Sequence, residues 1–221
     1  MRNFIQIAID GPAAAGKSTI AKIVAEKIGF VYVDTGAMYR AVTWAAINCG
    51  VATCKEQEVA DLLAKTEVKL APGGKVFVNG FDVTTTIREP MVTKAVSQVA
   101  TYQSVREELK NRQAQLADST NVIMDGRDIG TNVLPQANFK FFMIADPRVR
   151  AERRYKENIA RGIPSDIDLL EQEIRERDEM DANREHAPLR RADDAILLDT
   201  SHMTIDEVVA EIIHFVNTKT G

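Results

Sequence analysis

The first 33 residues run through a β-loop-α-β pattern, and this restricts the possible folds more than any other stretch of the chain. Phe4-Ile5-Gln6-Ile7-Ala8-Ile9 is an almost continuous apolar run ending at Asp10, which suits a strand buried on both faces of a parallel sheet. A loop rich in Gly and Ala follows. From Ser18 to Ile28 the apolar residues Ile20, Ile23, Val24 and Ile28 have helical spacing, and Gly29 supplies the stop. Phe30-Val31-Tyr32-Val33 then reads as a second strand. Such a unit seeds a doubly wound α/β fold.

Three later runs continue the pattern: Val122-Ile123-Met124, Phe139 to Ala145 and Ala195 to Leu198, for five core strands in all. Helices are predicted over Ala37 to Asn48, Val92 to Ala100, Ser104 to Ala117, Pro147 to Ile159, Ile167 to Met180 and Ile205 to Val216. The last opens on the capping-box pattern Thr204-Ile205-Asp206-Glu207. One stretch breaks the rhythm. Between Glu67 and Val83 apolar residues alternate around Gly73-Gly74 and then Asn79-Gly80, which predicts three short antiparallel strands joined by two tight turns. Residues from about 36 to 100 therefore read as an inserted subdomain. No internal repeat is visible.

Composition narrows the function classes. With 221 residues, 45% apolar and 27% charged, the chain can build a well-buried core as one large domain or two small ones. A net charge of -4 offers no basic balance to draw a whole domain onto nucleic acid or an anionic membrane, so bound anions must be held by locally placed Lys and Arg. No apolar run approaches the ~18 residues of a membrane span. The start Met1-Arg2-Asn3-Phe4 lacks a signal-peptide pattern and reads as mature sequence of a cytoplasmic protein. Cys49 and Cys54 lie five apart, neither a CxxC redox pair nor a metal spacing, and His186, His202 and His214 are scattered. Reduced thiols and no structural metal are expected.

Gly11-Pro12-Ala13-Ala14-Ala15-Gly16-Lys17-Ser18 satisfies G-x-x-x-x-G-K-[ST]. Small residues let consecutive backbone N–H groups curl around phosphate oxygens while the next helix aims its positive N-terminus at the same anion. Lys17 would reach the β and γ phosphates, and the Ser18 hydroxyl would serve Mg²⁺. The pattern marks a triphosphate site without separating a kinase from a GTPase or a motor. The guanine-reading N-K-x-D and switch D-x-x-G of GTPases are absent. Asp125, after Val122-Ile123-Met124, is placed either for the magnesium shell or as a helix N-cap, and Asp10 is similarly ambiguous. Arg40, Arg106, Arg127, Arg153, Arg154, Arg177 and Arg184 stand at expected element ends, where guanidinium groups could take phosphate bidentately. Arg177, Asp181 and Arg184, spaced by four and three, share a helical face if the helix extends that far. They could grip a phosphate and a sugar, or form an ordinary solvated ion pair. The basic segment from Arg148 to Arg161 reads alone as a solvated face.

Taken with Ile9-Asp10-Gly11-Pro12, Asp34-Thr35-Gly36-Ala37-Met38-Tyr39-Arg40, Ala95-Val96-Ser97-Gln98-Val99-Ala100, Val105-Arg106, Asp125-Gly126-Arg127-Asp128-Ile129-Gly130-Thr131, Glu176-Arg177-Asp178 and Asn183-Arg184, the chain resembles the bacterial cytidylate kinases of the nucleoside monophosphate kinase group. These motifs run in order over nearly its whole length. The resemblance implies a P-loop doubly wound α/β fold: a five-stranded parallel sheet with helices on both faces, an inserted monophosphate-binding subdomain with a three-stranded antiparallel sheet, and a short mobile lid. On that reading the core is 1–35, 101–147 and 166–221, the insert 36–100 and the lid 148–165.

The implied activity is transfer of the γ-phosphoryl group of ATP to CMP or dCMP with Mg²⁺, in a monomer with no nucleic-acid or membrane partner. The resemblance places ATP on Gly11, Pro12, Ala13, Ala14, Ala15, Gly16, Lys17, Ser18 and Thr19, with Arg153 and Arg154 from the lid, and Mg²⁺ at Ser18 and Asp125. Arg40, Arg127 and Arg184 resemble the clamp on the CMP phosphate, with Thr35 nearby; with Lys17 they are the implied catalytic groups. Ser97, Arg106 and Asp128 resemble the readers of the cytosine edge, and Arg177 and Asp181 those that hold the ribose. An Asp suits the exocyclic amino donor that uracil lacks.

Overall fold

The opening apolar run becomes strand β1 (Gln6–Asp10), and all five of its residues are buried. Alternate side chains of a strand point to opposite faces, so a strand sealed along its whole length must be covered on both sides. The computed structural model describes residues 4–160 and 162–220. Met1 to Asn3, which carry the expected mature start, and Arg161 of the basic segment lie outside the described residues.

In chain order the elements are β1, α1 (Lys17–Ile28), β2 (Val31–Asp34), α2 (Thr35–Asn48), α3 (Glu56–Ala64), β3 (Val68–Ala71), β4 (Lys75–Val78), β5 (Phe81–Asp82), α4 (Pro90–Val99), α5 (Gln103–Ala117), β6 (Val122–Gly126), β7 (Phe139–Ile144), α6 (Pro147–Ala160), α7 (Ile167–Asn183), β8 (Ile196–Asp199) and α8 (Ile205–Thr220). The main sheet has five strands in the order β2-β6-β1-β7-β8. β1 runs parallel to both β6 and β7, and its register pairs Ile9 with Asp125 and Asp10 with Gly126. The carboxyl ends of β1 and β6 thus lie side by side, where ligands bind in open α/β sheets.

The chain divides into two compact units, Met1–Tyr32 with Thr120–Gly221, and Val33–Ser119. In the first, Ile20 and Val24 of α1 and Val208, Val209, Ile212 and Val216 of α8 pack with Ile7, Ile9, Phe141 and Met143. Each such side chain contributes roughly 1.5–3 kcal/mol by leaving water. Ala8 and Met124 are fully buried too. Gly29 ends α1 in the left-handed conformation (φ 73°), its N–H bonded to Ala25 O, and Thr204 and Glu207 bond each other's backbone N–H at the start of α8.

In the second unit Ala37, Ala41 and Ala45, four residues apart on α2, lie against Val76 and Val78 of β4. Small side chains at that spacing make a flat stripe on which a sheet can settle. β3, β4 and β5 are antiparallel, with Leu70 opposite Val76 and Phe77 opposite Asp82. Both expected turns form. Gly73 and Gly74 have φ of 78° and 76°, and Asn79 and Gly80 have 49° and 83°, the paired positive values of a hairpin turn that matches strand twist.

Among the elements with no counterpart in the expected ones are a short helix and a π-helical turn. α3 is a nine-residue helix held by Val59 and Leu63, too short to show a helical period. Ile129–Val133 makes one π-helical turn, with Val133 N–H reaching Asp128 O. The second unit is also wider than the 36–100 segment. Arg112 of α5 donates to Leu63 O and Thr66 O at the end of α3, and Tyr102 Oη to Thr53 O, so α5 joins that unit. Among the described residues no helix is long and apolar enough to cross a membrane.

Candidate functional site

The glycine loop leaves β1 through Gly11, at φ 148° and hard against β7: a Cβ there would lie 2.0 Å from Met143 O, so no larger residue fits. Ala14 is held at φ 58°, a left-handed conformation uncommon outside glycine, and Gly16 at φ 90° is the N-cap of α1. The loop's small residues are what this path requires. Lys17, buried at the start of α1, turns back to donate to Pro12 O at 2.7 Å. Burial and the Arg127 charge push its ammonium well below the usual lysine range, against the opposing pull of Asp125, Asp10 and Asp181. Ser18 and Thr19 are exposed on the first turn.

Asp125 ends up beside the loop. It accepts from Ser18 Oγ on one oxygen and from Tyr32 Oη on the other, each at 2.8 Å. The N-cap alternative is not what forms, since the π-helical turn that follows starts after Asp128. A hydroxyl and a carboxylate at hydrogen-bond distance are the hard oxygen donors that Mg²⁺ takes, one or two from protein and the rest from phosphate and water. Asp10 takes a third course. Its two oxygens accept from Ile129 N–H at 2.8 Å and Gly130 N–H at 2.7 Å, so it holds the loop after β6. Burial lifts its carboxyl to about 6, with the two backbone bonds pulling back.

That loop and the end of α7 make a charged cluster. Arg127 Nε donates to Asp181 Oδ2 at 2.7 Å, Arg184 Nη2 meets Asp128 Oδ1 at 3.2 Å, and Arg184 Nη1 lies 4.0 Å from Asp181 Oδ1. α7 runs to Asn183, so Arg177 and Asp181 do share it, while Arg184 is its extended C-cap. Arg177 Nε is sealed from solvent without an acceptor, and burial, with Arg127 nearby, lowers its guanidinium to about 10. For Asp181 burial pulls upward, but Arg127, Arg177 and Arg184 outweigh it and its carboxyl stays below the usual range. Three arginines thus lean on two aspartates. The surplus is positive, as an anion site needs.

Of the expected lid arginines, Arg153 donates to Thr200 O at 2.6 Å and Arg154 lies 3.3 Å from Glu157. The remaining expected residues lie in the second unit. Thr35 is buried in the first turn of α2, whose N-cap Asp34 accepts from Ala37 N–H. Arg40 donates to Thr93 Oγ1 at 2.8 Å and Ile87 O at 3.3 Å. Ser97 is half-buried on α4. Arg106 donates to Ala100 O at 3.0 Å and stacks its guanidinium 5.7 Å from the centre of the Tyr39 ring.

A family model described as cytidylate kinase matches residues 7–218. The chain belongs to the cytidylate kinase family. A cytidylate kinase of Geobacillus thermodenitrificans is 54% identical, with all of both chains covered, and one of Listeria monocytogenes serotype 4a is 52% identical over 99% of each. Among solved structures, a shikimate kinase from Acinetobacter baumannii in complex with shikimate superimposes with a TM-score of 0.51 at 13% identity, covering 99% of this chain and 96% of that one. This likeness is of fold.

Within this family member, sequence reasoning missed Tyr32 and Arg150. Tyr32 is the last residue but two of a short strand, and only the pairing of β2 with the sheet brings its hydroxyl to Asp125. Arg150 was hidden among basic residues on a segment read as a solvated face, yet it is 3% exposed. No helical spacing signals its burial, because Val149 and Ala151 on either side face away from it on the helix.

Proposed function

We propose that the protein transfers the γ-phosphoryl group of ATP to CMP or dCMP, giving ADP and CDP or dCDP. The observation that carries the reading is the cluster of Arg127, Arg177 and Arg184 on Asp128 and Asp181, next to the glycine loop at the carboxyl ends of β1 and β6. A triphosphate site alone would not need it. Family membership and full-length relatives named cytidylate kinase support the choice of acceptor.

The backbone N–H groups from Gly11 to Thr19 hold the ATP phosphates. Lys17 exchanges Pro12 O for β- and γ-phosphate oxygens, whose negative charge favours its ammonium form. Ser18 and Asp125 would hold Mg²⁺, which would supply positive charge to offset that of the ATP phosphates. Arg127 and Arg184 exchange Asp181 and Asp128 for acceptor phosphate oxygens. The two carboxylates are thereby released, Asp181 with Arg177 to the ribose and Asp128 to the cytosine amino group. From the second unit Thr35 and Arg40 serve the acceptor phosphate and Ser97 and Arg106 the base; Arg153 and Arg154 of the 148–165 lid serve ATP. An acceptor phosphate oxygen forms the new bond to the γ phosphorus as the bond to the β-bridging oxygen breaks and ADP leaves. The nucleophile is already anionic, so positioning and charge balance suffice without a general base. The same proposal makes the protein a cytoplasmic monomer: both thiols are free and exposed, as in a reducing compartment, and every assigned group is on one chain.

A coupled assay of ADP formation over CMP, dCMP, UMP, AMP and shikimate tests the reading. CMP and dCMP are expected to give the highest kcat/KM, at least tenfold above the rest; faster turnover of UMP, AMP or shikimate overturns it.

A further inference from the structure

We propose that Arg150 is a positioning residue for the phosphate loop: it sets the direction of the Ala13–Ala14 peptide, and Asp178 fixes Arg150 in turn. This goes beyond the roles assigned above and rests on the reading of Gly11 to Ser18 as the ATP site. Arg150 lies in the first turn of α6 with its guanidinium buried. Nε donates to Ala145 O at 2.8 Å, Nη1 to Ala13 O at 3.0 Å, and Nη2 meets Asp178 Oδ2 at 2.6 Å. One planar fork is shared by the end of β7, the glycine loop and α7. Only a guanidinium presents donors in that fixed spread.

The bond to Ala13 O matters because a trans peptide is planar, with its C=O and the following N–H pointing in opposite directions. Holding Ala13 O toward Arg150 turns the Ala14 N–H the other way, away from α6. Ala14 is also the loop residue held at φ 58° without being glycine, a conformation that persists only when its surroundings impose it. Lys17 cannot supply that constraint, since its bond to Pro12 O must give way to phosphate. Arg150 can, because carbonyls and a carboxylate already occupy its fork. Asp178 keeps this buried charge paired, and its other oxygen has no donor. As the neighbour of Arg177 on α7, Asp178 ties the donor loop to the helix that carries Arg177 and Asp181.

The test uses the full chain, with ATP·Mg²⁺ binding measured by calorimetry and steady-state kinetics with ATP and CMP varied separately. Arg150→Lys keeps a charge for Asp178 but loses the fork. The pair Arg150→Met with Asp178→Leu removes both buried charges at similar volume, a replacement that proteins commonly tolerate in stability. Both are expected to weaken ATP binding and raise KM for ATP at least tenfold, with KM for CMP within twofold and the Tm of the double variant within about 3 °C of wild type. ATP affinity within twofold of wild type in either variant, or equal losses for ATP and CMP, overturns the proposal. If the double variant does not fold, Arg150→Lys decides alone. Should wild type prefer another acceptor, the assignment to CMP falls, while the ATP titration still decides whether Arg150 positions the loop.

Discussion

Between Gly11 and Ser18 the groups proposed to meet phosphate are backbone N–H and one lysine, and a few neighbouring residues and one close approach to Met143 O set the loop's path. In the cluster of Arg127, Arg177 and Arg184 the groups proposed for the acceptor are side chains, and Arg127 finds its counterion Asp181 54 residues along the chain. The loop is specified by conformation, the cluster by charge balance. The loop should therefore fail in function when its one lysine is altered, with little effect on folding. The cluster should fail in stability as well, because removing one member leaves another buried and unpaired.

The largest expected effect breaks the loop alone: Lys17→Ala lowers kcat by roughly 10²–10³-fold, the usual loss for a group that stabilises transition-state charge, with CMP affinity little changed. An unchanged kcat would remove Lys17 from the chemistry. Next, Asp181→Ala leaves Arg127 and Arg177 without their shared counterion. It should cost about 2–3 kcal/mol in urea unfolding, below the range for fully sealed pairs because Arg127 keeps some contact with water. Equal stability of Asp181→Ala and wild type would make the cluster a solvated ion pair.

Smaller is Asp128→Ala, which should shift the CMP-to-UMP ratio of kcat/KM about tenfold while transfer to CMP persists. A uniform loss on both substrates contradicts base reading.

The smallest effect has opposite signs in the two regions. Asp10 has a raised carboxyl, so relative to Asp10→Asn its contribution is fully present below its unfolded value of 3.8 and is lost as pH rises through about 6. Asp181 is lowered, so relative to Asp181→Asn its contribution is present above 3.8 and lost as pH falls through its folded value. Melting curves from pH 2.5 to 8 should show the Asp10 difference sloping between 3.8 and about 6 and the Asp181 difference sloping the other way below 3.8; parallel slopes would sink the contrast.

The same division separates what was legible from what was not. β1, the glycine loop and α1 were readable because strand alternation, turn glycines and helical spacing are local signals, and the Asn79-Gly80 hairpin is of that kind. α3 escaped because two buried residues, Val59 and Leu63, make no period. The π-helical turn at Ile129–Val133 escaped because its cause, Asp10, is 119 residues away from Ile129. Arg150 looked like part of a charge run, and its burial depends on α7 and the loop both packing onto it.

By itself the sequence determined the backbone path from β1 into α1 and the order of the strands and of every helix but α3, since these follow from interactions within a few positions, while the residues of each expected site came from the resemblance to a family. The tertiary structure alone decided which carboxylate each arginine leans on, that Asp125 meets Ser18 and Tyr32, that Asp10 holds the loop after β6 and that Arg150 bonds the glycine loop. Those pairings join residues far apart in the chain. Their energies exist only once burial has removed water as the competing partner, and burial is a property of the assembled core.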